Sequence, residues 1–149
     1  MIEYREIDAT EHLDDIAYML PDHREELTTN KELMKIKPDM ETYLVLQDKG
    51  RLLSVAVFDD DVIVGYSINI ICPMLHYMDV MACQNDLLFL NMKYRRGAVG
   101  LKLMRETERL AKNRGCHMMT WHAKLDTTLF AILDRLQYCK QELIYSRVL

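Results

Sequence analysis

The chain has 149 residues, the length of one domain, and that is enough to bury a core without disulfide or metal staples. Half of its residues are hydrophobic and 28% are charged, a globular composition, and no apolar run approaches the ~18 residues of a membrane span. A net charge of -4 argues against a nucleic-acid surface. Met1 to Glu6 lacks the basic block and apolar core of an export signal, so the expected location is the cytoplasm, with no membrane association. Cys72, Cys83, Cys116 and Cys139 form no CxxC pair and have no His at zinc-ligand spacing, which predicts reduced thiols and no metal.

In chain order, Ile2 to Ile7 alternates like a half-buried strand, and Thr10 then precedes Leu13, Ile16, Ala17 and Leu20 at helical spacing, a helix that Pro21 is expected to end. A second helix is expected from Glu25 to Lys37, stopped by Pro38. Leu52 to Phe58 and Val62 to Cys72 are rich in Val, Ile and Tyr, and Asp59-Asp60-Asp61 between them has turn chemistry, so the pair reads as an antiparallel hairpin. Met74 to Asn85 reads as a connecting loop or short helix, and Asp86 to Met92 as a strand. A long amphipathic helix follows, using Leu101, Met104, Thr107, Leu110 and Ala111, with Gly115 as its stop. Cys116 to Ala123 reads as a strand, Thr128 to Leu136 as a helix, and Cys139 to Val148 as one long or two short final strands. No repeat or linker divides residues 1–149, so one mixed sheet with helices on both faces is expected.

Chemistry concentrates between the apolar strand and the long helix. Lys93, Arg95, Arg96, Lys102 and Arg105 crowd one short stretch of an acidic chain, and Gly97, Ala98 and Gly100 let the backbone turn sharply with its amides exposed. Unpaired amides at a helix start, the positive end of the helix dipole and nearby cations suit a pyrophosphate. On the residues alone this is a phosphate turn and no more; a tight turn with solvated arginines would look the same.

Arg95-Arg96-Gly97-Ala98-Val99-Gly100 resembles the Q/R-x-x-G-x-G/A signature of the GNAT N-acetyltransferase superfamily, with Ala98 at the first glycine. Leu87 to Met92 is similar to that family's fourth strand, Met104 to Gly115 to its long third helix, and Met118 to His122 to its fifth strand. Leu136-Gln137-Tyr138 resembles its Leu-Gly-Phe tail, with Gln137 replacing the glycine. The resemblance implies an α/β fold with a mixed, mostly antiparallel central sheet, and acetyl-CoA as cosubstrate. Its pantetheine arm would lie where the fourth strand splays from the fifth, held by backbone groups of Leu90, Asn91 and Met92, with the Leu90 amide as oxyanion donor. The pyrophosphate would sit on the turn from Arg95 and Arg96 through Gly97, Ala98, Val99 and Gly100 to Leu101.

The implied reaction is direct acetyl transfer to a primary amine in a ternary complex. An amine with a reference pKa near 10.4 needs a base or water chain to take its proton. Asp86, opening the apolar strand, and His122, ending the next, are the candidates. The family's thiolate-protonating tyrosine matches Leu133, which cannot serve, leaving Tyr138 and Tyr145 as candidate acids. The acceptor, small molecule or protein, is not legible, and exposed sheet edges leave room for a homodimer. Ala98, Leu133 and Gln137 also suit a different reading, an inactive domain of this fold that binds a partner protein.

Overall fold

The computed structural model describes residues 1–149. Its centre is β2 (Leu52–Asp59), whose first seven residues are all buried, so a packed layer must cover each face of this strand. The sheet runs in chain order: β1 (Ile2–Ile7), β2, β3 (Val62–Met74), β4 (Tyr77–Leu90) and β5 (Met118–Thr120). The first three pairings are antiparallel and β4–β5 is parallel, which is the expected mixed sheet. On one face Leu52, Ala56, Phe58, Tyr66, Ile68 and Phe89 pack against Ile16 of α1 (Leu13–Ala17), Met19 just before α2 (Leu20–Leu27), and Tyr43 and Leu46 of α3 (Met40–Asp48). On the other, Leu53, Val55, Val57, Cys83 and Leu90 pack against Leu103 and Ala111 of α4 (Val99–Asn113). A last helix, α5 (Thr128–Arg135), follows β5.

Four expectations are corrected. Pro21 does not end a helix but opens α2, in the first turn, where its missing N–H costs nothing. No helix spans residues 25–37; α2 stops at Leu27, and the next helix starts after Asp39, whose carboxylate accepts the Thr42 amide at 3.1 Å as an N-cap. Met74 to Asn85 is not a loop, because β4 begins at Tyr77 and pairs with β3 along its length. Residues 139–149 form no strand; Leu143, Ile144 and Tyr145 are exposed and β5 keeps a bare outer edge.

β4 changes face partway. Cys83 and Leu90 lie in the same buried cluster although they are an odd number of residues apart, which a regular two-residue alternation forbids. The resolution is a bulge: Ile68 pairs with Leu87 and Asn69 with Asn85, leaving Asp86 without a partner. A buried polar chain braces it. The Asn85 side-chain amide donates to the Leu87 carbonyl and to Asn69 Oδ1, both at 3.0 Å, and Asn69 Nδ2 donates to the Leu53 carbonyl at 2.9 Å. Beyond the bulge, β3 approaches β4 so closely that a Cβ on Gly65 would stand 2.6 Å from Leu90 Cδ1 and 2.9 Å from the Phe89 carbonyl oxygen.

His23 of α2 is buried over this end of β4, its ring stacked on Phe89 at 5.1 Å and 15°. Its Nδ1 lies 2.7 Å from the Tyr66 hydroxyl. Burial pushes the imidazole below its ordinary 6.5, with Glu26 opposing and Arg95 reinforcing the shift. Burial also drives the Tyr66 phenol upward, so Tyr66 donates and neutral Nδ1 accepts.

Two outcomes follow from this packing. Gly65→Ala is expected to lose about 1–3 kcal/mol in urea unfolding, because the Phe89 carbonyl is backbone and cannot rotate away. For His23 the folded pKa is depressed, so its contribution to stability is present above 6.5 and lost as pH falls below it. His23→Phe is expected to cost about 1–3 kcal/mol at pH 7.5 by orphaning the Tyr66 hydroxyl, while flattening the fall in Tm expected of the parent below pH 6.5. Thermal melts across that range check both.

Candidate active site

β4 and β5 pair through three rungs, Ala82–Met118, Cys83–Met119 and Gln84–Thr120, and then part. β4 runs on to Leu90, so residues 85–90 present one edge with no strand beside it. At its end the Asn91 amide donates to the Val64 carbonyl of β3 at 2.8 Å. All peptide bonds are trans, so the Leu90 carbonyl points the opposite way, into the opening between β4 and β5. Backbone polar groups left unpaired beside an opening offer the hydrogen bonds of a missing strand.

The chain then turns in a way each residue type explains. Asn91 Oδ1 accepts the Lys93 amide at 3.1 Å and starts a single 3-10 turn, Met92–Tyr94. Gly97 takes φ +77, which favours glycine, whereas Ala98 sits at φ -103, where a methyl group costs nothing. The alanine in place of the signature's first glycine is therefore unstrained. Ala98 occupies the N-cap position of α4 and makes no side-chain cap, so the first amides of a 15-residue helix face outward. A Cβ on Gly100 would meet Leu90 Cδ2 at 3.6 Å, an ordinary contact, so no packing within the protein demands glycine there. Bareness at that position suits close approach by a ligand.

The basic cluster divides. Lys93, Arg96, Lys102 and Arg105 form no ion pair with a carboxylate. Arg95 is bound within the protein: Nη1 and Nη2 donate to the two carboxylate oxygens of Glu26 at 2.6 and 2.7 Å, and Nε to the Leu90 carbonyl at 2.7 Å.

Asp86 and His122 each lie two residues beyond the last rung, Gln84–Thr120, on opposite sides of the opening, and both are exposed. Asp86 also borders a recess of about 130 Å³ between α3 and the sheet, with Asp39, Thr42, Tyr43, Leu52 and Ile70 among its walls. Burial raises the Tyr43 phenol, and the Asp86 charge adds to the shift. The Tyr138 hydroxyl donates to Glu108 Oε1 of α4 at 2.6 Å, the same oxygen that accepts Trp121 Nε1 at 2.9 Å. Burial, then the hydrogen bond to Glu108, pushes this phenol up to about 12, so it holds its proton against Glu108. Leu133 is partly buried in α5 and offers no hydroxyl.

Sequence reasoning passed over His23, Glu26, Tyr43 and Glu108. His23 and Glu26 share one helix face a turn apart, a spacing that becomes visible only once Pro21 is read as opening α2. Tyr43 was hidden with the whole of α3, and Glu108 reads from the sequence only as a member of the amphipathic helix, with no partner to mark it.

The acetyltransferase (GNAT) family model matches residues 11–132. No curated protein matches the chain by sequence. Among solved structures, a ribosomal-protein-alanine N-acetyltransferase from Brucella melitensis biovar Abortus 2308 superposes with a TM-score of 0.79 at 14% identity, covering 100% of this chain and 98% of that one. An aminoglycoside acetyltransferase from an uncultured soil metagenomic sample gives 0.77 at 12%, covering 100% and 99%. An aminoglycoside N-acetyltransferase in complex with CoA gives 0.68 at 16%, covering 98% of each chain. Such identities speak for the fold, while the family match spans the helices, the splayed strands and the turn before α4. The chain belongs to the acetyltransferase (GNAT) family.

Proposed function

We propose that the protein is an N-acetyltransferase that moves the acetyl group of acetyl-CoA to a primary amine by direct attack in a ternary complex. The observation that carries this reading is the continuity of one β4 edge with no strand beside it, ending at Leu90, with a helix start that has no side-chain cap. A pantetheine arm needs the first and a pyrophosphate the second, so the residues present fit the cosubstrate. Acetyl-CoA supplies an activated acyl carbon with a thiolate leaving group.

The chain's own groups divide the remaining work. Leu90 and Met92 would offer backbone hydrogen bonds along the opening, with the Leu90 amide as donor to the carbonyl oxygen where negative charge develops, whereas Asn91 has its amide bonded to the Val64 carbonyl and its own carbonyl to the Tyr94 amide. Arg96, Gly97, Ala98, Val99, Gly100 and Leu101 offer amides to the pyrophosphate, with the Arg96 and Lys102 charges beside them. The amine nitrogen forms the new C–N bond, the C–S bond breaks, and the ammonium proton leaves by way of a base. Asp86, exposed at the bulge and lining the recess, is placed to take that proton directly or through one water. His122, exposed two residues past the last rung on the β5 side, is the rival base. A thiol with a reference pKa near 8.5 leaves without strong acid help, so a Tyr138 committed to Glu108 does not block the reaction.

A second reading, a domain that binds a partner without turnover, is favoured by one observation: Leu133 and Tyr138 leave no free hydroxyl to protonate the thiolate.

Calorimetric titration with acetyl-CoA tests the first reading. Gly100→Glu is expected to weaken binding about ten-fold or more by placing a carboxylate among the pyrophosphate amides, while an acidic residue in the first turn of α4 keeps the fold stable. Absence of heat with the parent protein overturns the enzyme reading. With an acceptor in hand, Asp86→Asn is expected to lower kcat/KM by about 10²–10⁴ with little change in acetyl-CoA affinity; an unchanged rate moves the base assignment to His122.

A further inference from the structure

The phosphate turn is tied to the helix layer on the opposite side of the site. Arg95 opens the turn, and Glu26 sits in the last turn of α2. Between them the guanidinium makes a two-pronged ion pair with Glu26 at 2.6 and 2.7 Å, stacks 5.2 Å above Phe89, and donates Nε to the Leu90 carbonyl at 2.7 Å. One turn earlier in α2, His23 stacks on the same Phe89. The end of β4 is therefore held from α2 at two points, and one of these grips the carbonyl that faces the opening. A forked guanidinium whose donors are directed at a carboxylate and a carbonyl is oriented by both, and its charge is largely neutralised where it stands.

We propose that Glu26 and Arg95 act together as a positioning pair for acetyl-CoA: Arg95 fixes the Leu90 carbonyl and the start of the 95–100 turn, and Glu26 fixes Arg95. In this arrangement Arg95 is not a pyrophosphate ligand, although the signature places it next to those that are. The inference rests on the acetyl-CoA reading and adds to it a carboxylate that helps bind an anion. That gives the test its sign. Removing a negative charge near an anion site strengthens anion binding on electrostatic grounds alone, and freeing Arg95 would strengthen it further if Arg95 were a phosphate ligand. Loss of a positioning pair weakens it.

Calorimetric titration with acetyl-CoA at several salt concentrations, on the parent protein, Glu26→Gln, Arg95→Gln and the double variant, separates the two. The expected result is a rise in Kd of about five- to ten-fold in each single variant, about 1–1.4 kcal/mol, with no further rise in the double variant and a salt dependence equal to the parent's. Thermal melts of the same samples show that they are folded. Tighter or unchanged binding by Glu26→Gln overturns the inference, as does additive loss in the double variant or a shallower salt dependence in Arg95→Gln. A parent protein that binds no acetyl-CoA fails the functional reading itself, and this shows in the parent titration before any variant is compared.

Discussion

Much of the molecule follows from one extra residue in the middle of β4, Asp86. Just before Asp86, Ala82, Cys83 and Gln84 have a strand on each side, β3 and β5. After it, Leu87 and Phe89 face the layer of α1, α2 and α3, Leu88 and Leu90 face α4, and no strand lies on the β5 side. A bulge bends its strand and increases local twist, so it ends one pairing while leaving the other intact. Here the intact pairing is the tight one with β3, where Gly65 admits Leu90. The Ser67, Asn69 and Asn85 side chains occupy buried positions that an apolar residue would fill more cheaply, and they hydrogen-bond one another and the backbone on either side of the irregularity. Buried polar groups that are satisfied in this way specify one arrangement of the strands.

The fold's outline was legible because its signals are local. The β2–β3 hairpin follows from dense Val, Ile and Tyr around an acidic turn, with Asp60 taking the left-handed conformation that aspartate tolerates. α4 follows from its apolar stripe and from Gly115 at φ +81. What escaped depended on context. The first half of β4 is exposed from Tyr77 to Asp79, so its alternation is not that of a half-buried strand, and only pairing with β3 makes it one. Gln137 has φ +60, a value proper to glycine, and it ends α5 in a Schellman arrangement, with the Gln137 amide bonded to Asp134 and the Tyr138 amide to Leu133. A glutamine does not announce that turn.

The proposed cofactor side of the site is concentrated in one stretch of sequence and the proposed catalytic side is not, for a physical reason. An anion site made of backbone amides needs a particular sequence of turn residues, and Gly97, Ala98 and Gly100 stand close together in the chain. Groups proposed to act on an acceptor come from separate elements, β4 and the segment after β5, and no spacing in the sequence joins them. The basic cluster shows the same limit from the other side. Five neighbouring cations look alike as letters, yet one of them is spent on a carboxylate from a helix about seventy residues earlier.

Trp121 is the chain's only tryptophan, one residue past the last rung of β5, with its indole N–H held by Glu108. Indole emission responds to the polarity and charge around the ring. The protein thus carries one optical reporter at the side of the opening where β5 departs, and a spectrum taken on the unlabelled chain reads out that strand's end without contribution from any second tryptophan.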